Sequence, residues 1–270
     1  MDHASQALTL LTTQDTVEAN QLAQTLNELN LRRRELEQSI LNVILADLKR
    51  RPHLLAAHTL VRWNPGWHLG VLGIVASRLV DIYYRPVVLI DVQNQVGKGS
   101  ARSIPGLDLY VALRKCRHLL EDFGGHSMAA GLTIRVENLT AFQRALEKAV
   151  SQMAHPDDRI QKLTIDTEIS FDDISAQLVD EIESIGPFGT QNPEPLFMAR
   201  NISVLSSKIV GQNHRKMSLA NGDNRSTKPI NAICFNAARN LLSATSFERL
   251  AFRLRWNRWN GNQSIQLIVE

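Results

Sequence analysis

The apolar positions change their period several times along the chain, and those changes divide it. Thr16 to Lys49 contains no Pro or Gly, and Leu22, Leu26, Leu29, Leu36, Ile40 and Val43 recur at steps of three and four, with Arg33 occupying one apolar slot. That period predicts one long helix with a single apolar stripe. Thr13 or Asp15 is placed to cap its start, and Pro52 forbids continuation past its end. The run Arg32-Arg33-Arg34-Glu35 reads as a solvated face. A helix of this length packs against something along its stripe, and it is expected to connect a preceding domain with a following one.

The pattern then alternates between strand and helix. Thr59 to Trp63 predicts a strand and Leu69 to Tyr83 a helix carrying Val71, Ile74, Val75, Leu79 and Ile82. Pro86 to Ile90 is a short continuous apolar run, the mark of a strand buried on both faces. Gly97 to Ser103 predicts a strand or strand edge, Leu109 to Asp122 a helix, Leu132 to Val136 a strand and Leu139 to Met153 a helix. Such alternation implies a layered α/β domain. His155-Pro156-Asp157-Asp158 punctuates a boundary. Beyond it come a strand from Leu163 to Phe171, a helix from Ile174 to Ile185, and candidate strands at 201–210, 216–220, 230–235, 250–256 and 264–269. Asn221-Gly222-Asp223-Asn224 and Asn260-Gly261-Asn262 supply turns between them. Short strands with turn signals favour a small antiparallel barrel of OB type.

Composition narrows the function classes. The chain has 270 residues and is 44% hydrophobic and 21% charged, with no apolar run long enough to span a bilayer. Two cysteines, Cys116 and Cys234, suggest neither a disulfide framework nor a zinc site, so a reduced, cytoplasmic compartment is expected and no membrane partner. From Leu196 to Glu270 there are 11 Lys/Arg against 3 Asp/Glu, whereas the first 195 residues hold 19 against 24. That asymmetry suggests that the C-terminal part meets a polyanion, or presents a solvated basic face.

Several constellations carry candidate chemistry. In GKGSARS, Gly97 and Gly99 allow close backbone approach, so that N–H groups can form an anion nest. Ser100 and Arg102, two apart on a strand, share a face and offer a hydroxyl and a guanidinium fork to phosphate; the alternative is a glycine-rich strand edge. In GGHSMAAG, Gly124-Gly125 frees a sharp turn before His126, which is a phosphate donor or a structural histidine. Trp67-His68 leads a helix, where an anion or aromatic packing is equally served. In the tail, Arg253, Arg255 and Arg258 interleave with Trp256 and Trp259 as a single-strand platform would, unless Trp256 belongs to the barrel core. Arg215 and Lys216 add charge near another turn. No Asp/His-rich run can hold two divalent cations, and no P-loop, GxSxG or cysteine nucleophile motif is present.

In this order, the segments Trp67–Ile90 (WHLGVLGIVASRLVDIYYRPVVLI), Gly97–Leu113 (GKGSARSIPGLDLYVAL), Phe123–Ile134 (FGGHSMAAGLTI), Gly186–Phe197 (GPFGTQNPEPLF) and Trp259-Asn260-Gly261 resemble the RecJ family of single-strand-specific DNA exonucleases, within the DHH phosphoesterase superfamily. The resemblance implies a connector helix over 1–50, an α/β DHH-associated domain over 51–155 and a β-barrel OB-fold over 160–270. It implies 5′-to-3′ hydrolysis of single-stranded DNA in repair and recombination, with manganese or magnesium held by a DHH domain whose motifs would all precede Met1. Met1-Asp2-His3-Ala4 looks like the end of such a domain. By the same resemblance Ser100 and Arg102 would bind the terminal 5′-phosphate, and Gly124, Gly125 and His126 the adjacent nucleotide backbone. The chain alone is therefore expected to bind single-stranded DNA, to hold no metal and to have no catalytic residue. A separate DHH polypeptide is a candidate partner. The alternatives are a freestanding single-strand-binding module and a phosphodiesterase of short oligonucleotides or cyclic dinucleotides.

Overall fold

A computed structural model describes residues 4–155, 160–211, 213–222, 228–237 and 239–270. The expectations attached to Met1-Asp2-His3, to Pro156-Asp157-Asp158 and to Asp223-Asn224 lie outside those residues. The chain divides into two units, Met1–Gln161 and Lys162–Glu270.

In the first unit, a short helix α1 (Ala4–Thr12) precedes the long α2 (Thr16–Arg50). Asp15 caps α2, its carboxylate accepting from the N–H groups of Val17 and Glu18 at 2.8 and 3.3 Å. The helix stops where Pro52 has no N–H to return. The buried stripe differs from the expected one. Ile40 is buried as expected, but Leu36 and Val43 are exposed, and Glu37, Leu41, Ile44 and Leu48 are buried in their place. Glu37 holds its place because Arg33 Nη1 and Arg78 Nε reach its carboxylate at 2.9 and 2.5 Å. Arg33 thus leaves the solvated face expected of the arginine run, turning inward to neutralise a buried charge.

The sheet of this unit comprises β1 (Leu60–Pro65), β2 (Val87–Gln93), β3 (Val96–Arg102), β4 (Leu120–Gly125) and β5 (Ala129–Arg135), in the order β1-β2-β3-β5-β4. Only β1 and β2 are parallel, joined through α3 (Leu69–Tyr83). The apolar run of β2 is buried on both faces, as its continuity predicts. Val87 and Leu89 pack with Leu60 against α2 and α3, whereas Val88 and Ile90 pack with Val61 against α4 (Leu109–Lys115) and α5 (Leu139–Met153). β2 and β3 form a hairpin through Asn94 and Gln95, both at positive φ.

One element is corrected. The expected helix from Leu109 to Asp122 ends at Lys115, and Leu120–Gly125 is strand. Asn138 Nδ2 donates to the Leu119 carbonyl at 3.2 Å, and Leu119, Leu120 and Phe123 pack on the core. Pairing with β5 therefore claims a segment that local periodicity assigned to a helix.

The second unit carries β6 (Thr167–Glu168), α6 (Ala176–Ser184), β7 (Phe197–Val210), β8 (His214–Asn221), β9 (Ile230–Cys234), α7 (Arg239–Leu242), β10 (Ser246–Trp259) and β11 (Asn262–Val269). The sheet runs β10-β11-β9-β8-β7-β6, and β10 also pairs with β7, closing a five-stranded circuit in which β9 and β11 are parallel. Five strands closed in this way form the OB barrel the strand signals predict. Its core holds Phe197, Ile202, Leu219, Phe252, Leu254 and Leu267, with Val179 and Ile182 of α6. The expected strand from Leu163 to Phe171 contracts to two residues. Asp166 binds the backbone of Leu196, and a Ser170–Asp173 capping box bends the chain into a turn at Phe171.

Candidate nucleic-acid interface

Ser100 and Arg102 lie on β3, facing Leu89 and Val87 of β2 on one side and Gly131 and Ala129 of β5 on the other. Gly124 of β4 faces Gly131 in turn. Ser100, Gly131 and Gly124 therefore form one row across three strands, on the sheet face that α3 covers only in part. Gly131 and Gly124 are exposed. A Cβ on Gly124 would meet nothing within 4 Å, and one on Gly131 only the Gly99 carbonyl at 3.8 Å. Internal packing thus does not require glycine at either place, and what the missing side chains leave is backbone that a ligand can approach closely.

The guanidinium of Arg102 lies beneath α3, where Gly73 makes room for it. A Cβ at Gly73 would stand 2.6 Å from Arg102 Nη2 and 3.2 Å from Ser100 Oγ. Arg102 Nη1 donates to the Ala101 carbonyl at 2.8 Å, and no carboxylate pairs with its charge among the described residues. This half-buried, unneutralised cation beside a hydroxyl is suited to a phosphate dianion.

Gly125 has a different task. Its φ is +140°, and a Cβ there would meet the Ala129 carbonyl at 2.3 Å. It turns the chain so that the His126 N–H can donate to that carbonyl at 2.8 Å. His126 is exposed at the mouth of the turn, hydrogen-bonded to Ala129, the residue that faces Arg102.

The anion nest expected from Gly97 and Gly99 is not formed. Both belong to the β3 ladder, and a Cβ on either would stand within 3 Å of Ile90 on the opposite, buried face. They are glycines for packing. Of the Trp67-His68 pair, Trp67 is buried, and His68 caps α3, its Nδ1 accepting from the Gly70 N–H at 3.2 Å.

In the barrel the expected cations are largely committed internally. Arg215 is buried and donates to the carbonyls of Leu241 and Ala244 and to the Ser207 hydroxyl, at 2.5, 2.6 and 3.0 Å. It ties β8 to the segment before β10 and is withdrawn from the surface. Arg255 grips Glu194 through two hydrogen bonds of 2.7 and 2.5 Å, and Arg258 grips Glu183 at 3.0 and 2.7 Å. Arg253 pairs with Glu270 and lies 3.7 Å from Glu194. Hydrogen bonding to these carboxylates raises the pKa of both Arg255 and Arg258. Trp256 packs against the core and donates its Nε1–H to Asp180 at 2.7 Å. Trp259, by contrast, is 73% exposed.

The charge asymmetry dissolves for the same reason. The tail from Leu196 holds Arg200, Arg255 and Arg258 but not their partners Glu168, Glu194 and Glu183. Counted over the whole unit, Lys162–Glu270 holds 12 Lys/Arg against 11 Asp/Glu. Lys216 stays outside the barrel, and Lys208 and Phe235, which the sequence did not single out, lie on the same side. Lys216 faces Lys208 across β7 and β8, outward from the barrel. Beyond them His214 and the 53% exposed Phe235 stack edge-on at 5.4 Å. The signal available was the strand parity that turns Lys216 outward when Arg215 turns in.

Among the described residues no group of three His, Cys, Asp or Glu is arranged to hold a metal ion. No helix among them is long and apolar enough to cross a membrane. Cys116 and Cys234 are free and buried, and burial pushes the Cys116 thiol up to about 11.

Comparison with known proteins places both units. The DHHA1 domain model matches residues 55–152 and the RecJ OB domain model matches 165–270. The single-stranded-DNA-specific exonuclease RecJ of Bacillus subtilis is 30% identical over 276 residues, covering 100% of this chain and 34% of that protein. Its counterpart in Haemophilus influenzae is 31% identical over 284 residues, covering 100% of this chain and 48% of that protein. The crystal structure of RecJ from Thermus thermophilus in complex with Mn2+ superposes with a TM-score of 0.77 at 27% identity, over 98% of this chain and 38% of that one. The corresponding Mg2+ complex gives 0.75. The chain therefore spans between a third and a half of the length of these relatives.

Proposed function

Because the chain belongs to the RecJ family, of which it carries the DHHA1 and OB portion, we propose that it holds the 5′ end of single-stranded DNA for a 5′-to-3′ exonuclease acting in repair and recombination. The observation that carries this reading is the open row of Ser100, Gly131 and Gly124, with the unneutralised Arg102 beside it. Ser100 and Arg102 take the terminal phosphate, and Gly124, Gly125 and His126 lie against the next stretch of backbone. A dianionic terminal phosphate gains more from one guanidinium than an internal monoanionic diester does, and so end recognition follows from charge.

The barrel adds sequence-independent grip. Its contacts are Lys216 with Lys208, and the exposed rings of Trp259 and Phe235 on which bases stack. Arg253, Arg255 and Arg258 keep the outer barrel in shape. The metal-dependent cutting belongs to a DHH catalytic unit that works with this one in the cytoplasm. Manganese or magnesium held by that unit would supply Lewis-acid charge for the hydrolysis. This chain's own residues bind and orient the strand.

The experiment is a binding competition between a 5′-phosphorylated single strand and a blunt duplex of the same sequence. The single strand is expected to bind at least about tenfold tighter, and equal affinity would overturn the reading.

A further inference from the structure

Away from that row, three guanidinium groups converge on one carboxylate. Asp47 of α2 pairs with Arg51 at the end of the same helix and with Arg62 of β1, and Arg50 Nη2 stands 3.9 Å away. Together they line a cleft of about 200 Å³ with Trp63 and Trp67. One carboxylate against three guanidinium groups leaves an excess of two positive charges. The end of α2 accommodates cations through its dipole, which accounts for Arg50 and Arg51. It does not account for Arg62, which comes from another element to the same carboxylate and has a side chain only 17% exposed. Arg50 is 77% exposed and Arg51 49% exposed, so the surplus charge faces solvent.

The cleft's position is also informative. Arg62, Leu89 and Ser100 are in register across β1, β2 and β3 and share one face, which puts the Arg62 and Ser100 backbones about 10 Å apart. α3 packs on β2 and β3 between them, so the arginine cleft and the Ser100–Arg102 row are separate sites.

We infer that the cleft formed by Arg50, Arg51 and Arg62 around Asp47 is a second phosphate-binding site, taking an internal backbone phosphate of a single-stranded nucleic acid. Guanidinium forks match diester oxygens in pairs, and the two outer arginines reach solvent where a strand passes. Asp47 fixes the inner fork of Arg62 and keeps net charge low enough for the arginines to stand together without a ligand. This inference rests on the reading that the protein holds single strands, and it adds an interaction that does not distinguish chain ends.

The test uses the whole chain and two labelled oligonucleotides of one sequence, one 5′-phosphorylated and one 5′-hydroxyl, titrated over a range of salt. Arg50→Ala with Arg51→Ala is expected to flatten the dependence of log affinity on log salt by up to about 0.7, the contribution of the one phosphate the cleft holds. The loss falls equally on both oligonucleotides, leaving their affinity ratio unchanged. Arg50→Glu alone removes a side chain with almost no internal partner, so it folds and weakens both oligonucleotides alike. An unchanged slope in the double variant, or a loss confined to the phosphorylated strand, would overturn the second site. Arg102→Ala reports on the other reading: if it leaves the affinity ratio unchanged while the Arg50 and Arg51 effect persists, the terminal-phosphate role fails and the cleft stands.

Discussion

Neighbouring glycines in the GGH segment do opposite things, and the difference is measurable. Gly125→Ala forces a Cβ against the Ala129 carbonyl at a φ of +140°, and a loss of about 2 kcal/mol or more is expected in urea unfolding. Gly124→Ala places its methyl in open space, so stability stays within about 0.5 kcal/mol while affinity for single strands falls. If Gly124→Ala bound normally, the open row would not be a contact surface. The sequence made the pair visible but not the division, because a glycine's task depends on what its absent side chain would meet. Gly97 and Gly99 show the same limit, since their glycine-rich look came from the bulk of Ile90 behind them. Arg215 and Lys216 are adjacent cations in the sequence, and strand parity sends one into the barrel and the other out.

Elements were legible where local pattern agreed with tertiary packing. α3 spans Leu69–Tyr83 as its period predicts, and the unbroken apolar run of β2 told that both its faces are covered. The end of α4 was not legible, because β4 exists through pairing with β5. Nor was Glu37, a charge in an apolar stripe whose partner Arg78 lies on another helix. Glu147 of α5 provides a test at this scale. It accepts from the N–H groups of His58 and Thr59, the Thr59 hydroxyl and the His58 ring at 2.7 to 2.9 Å, which anchors the entry to β1. Burial pushes its carboxyl up, but those hydrogen bonds outweigh burial and hold it below the usual glutamate value. A depressed carboxylate contributes fully above its unfolded pKa and loses that contribution as pH falls through the folded one. The stability gap between the protein and Glu147→Gln should therefore be constant from neutrality to about pH 4.5 and shrink below it, read from urea midpoints. A gap that widened on acidification would contradict this role. In the barrel, Arg253→Ala with Arg255→Ala should leave the salt dependence of binding nearly unchanged, because their charges answer Glu194 and Glu270. Lys208→Ala with Lys216→Ala should flatten it.

At the scale of the molecule, the chain is two units with separate cores. Their order and fold type could be read from the sequence, because an α/β alternation and a series of short strands leave different periods. The distribution of charge could not. A tail that looked strongly basic is nearly neutral once α6 and the segment before β7 fold onto the barrel. The proposed recognition of a strand end consequently rests on the first unit, and on Arg102 within it. The most direct test measures, by fluorescence anisotropy at fixed salt, the affinity of the protein and of Arg102→Ala for one single strand with a 5′-phosphate or a 5′-hydroxyl. The protein is expected to prefer the phosphorylated strand by about tenfold or more, and Arg102→Ala to reduce that preference to near one. A protein indifferent to the 5′-phosphate, or a variant that kept the preference, would contradict the claim that this row holds the end of the strand.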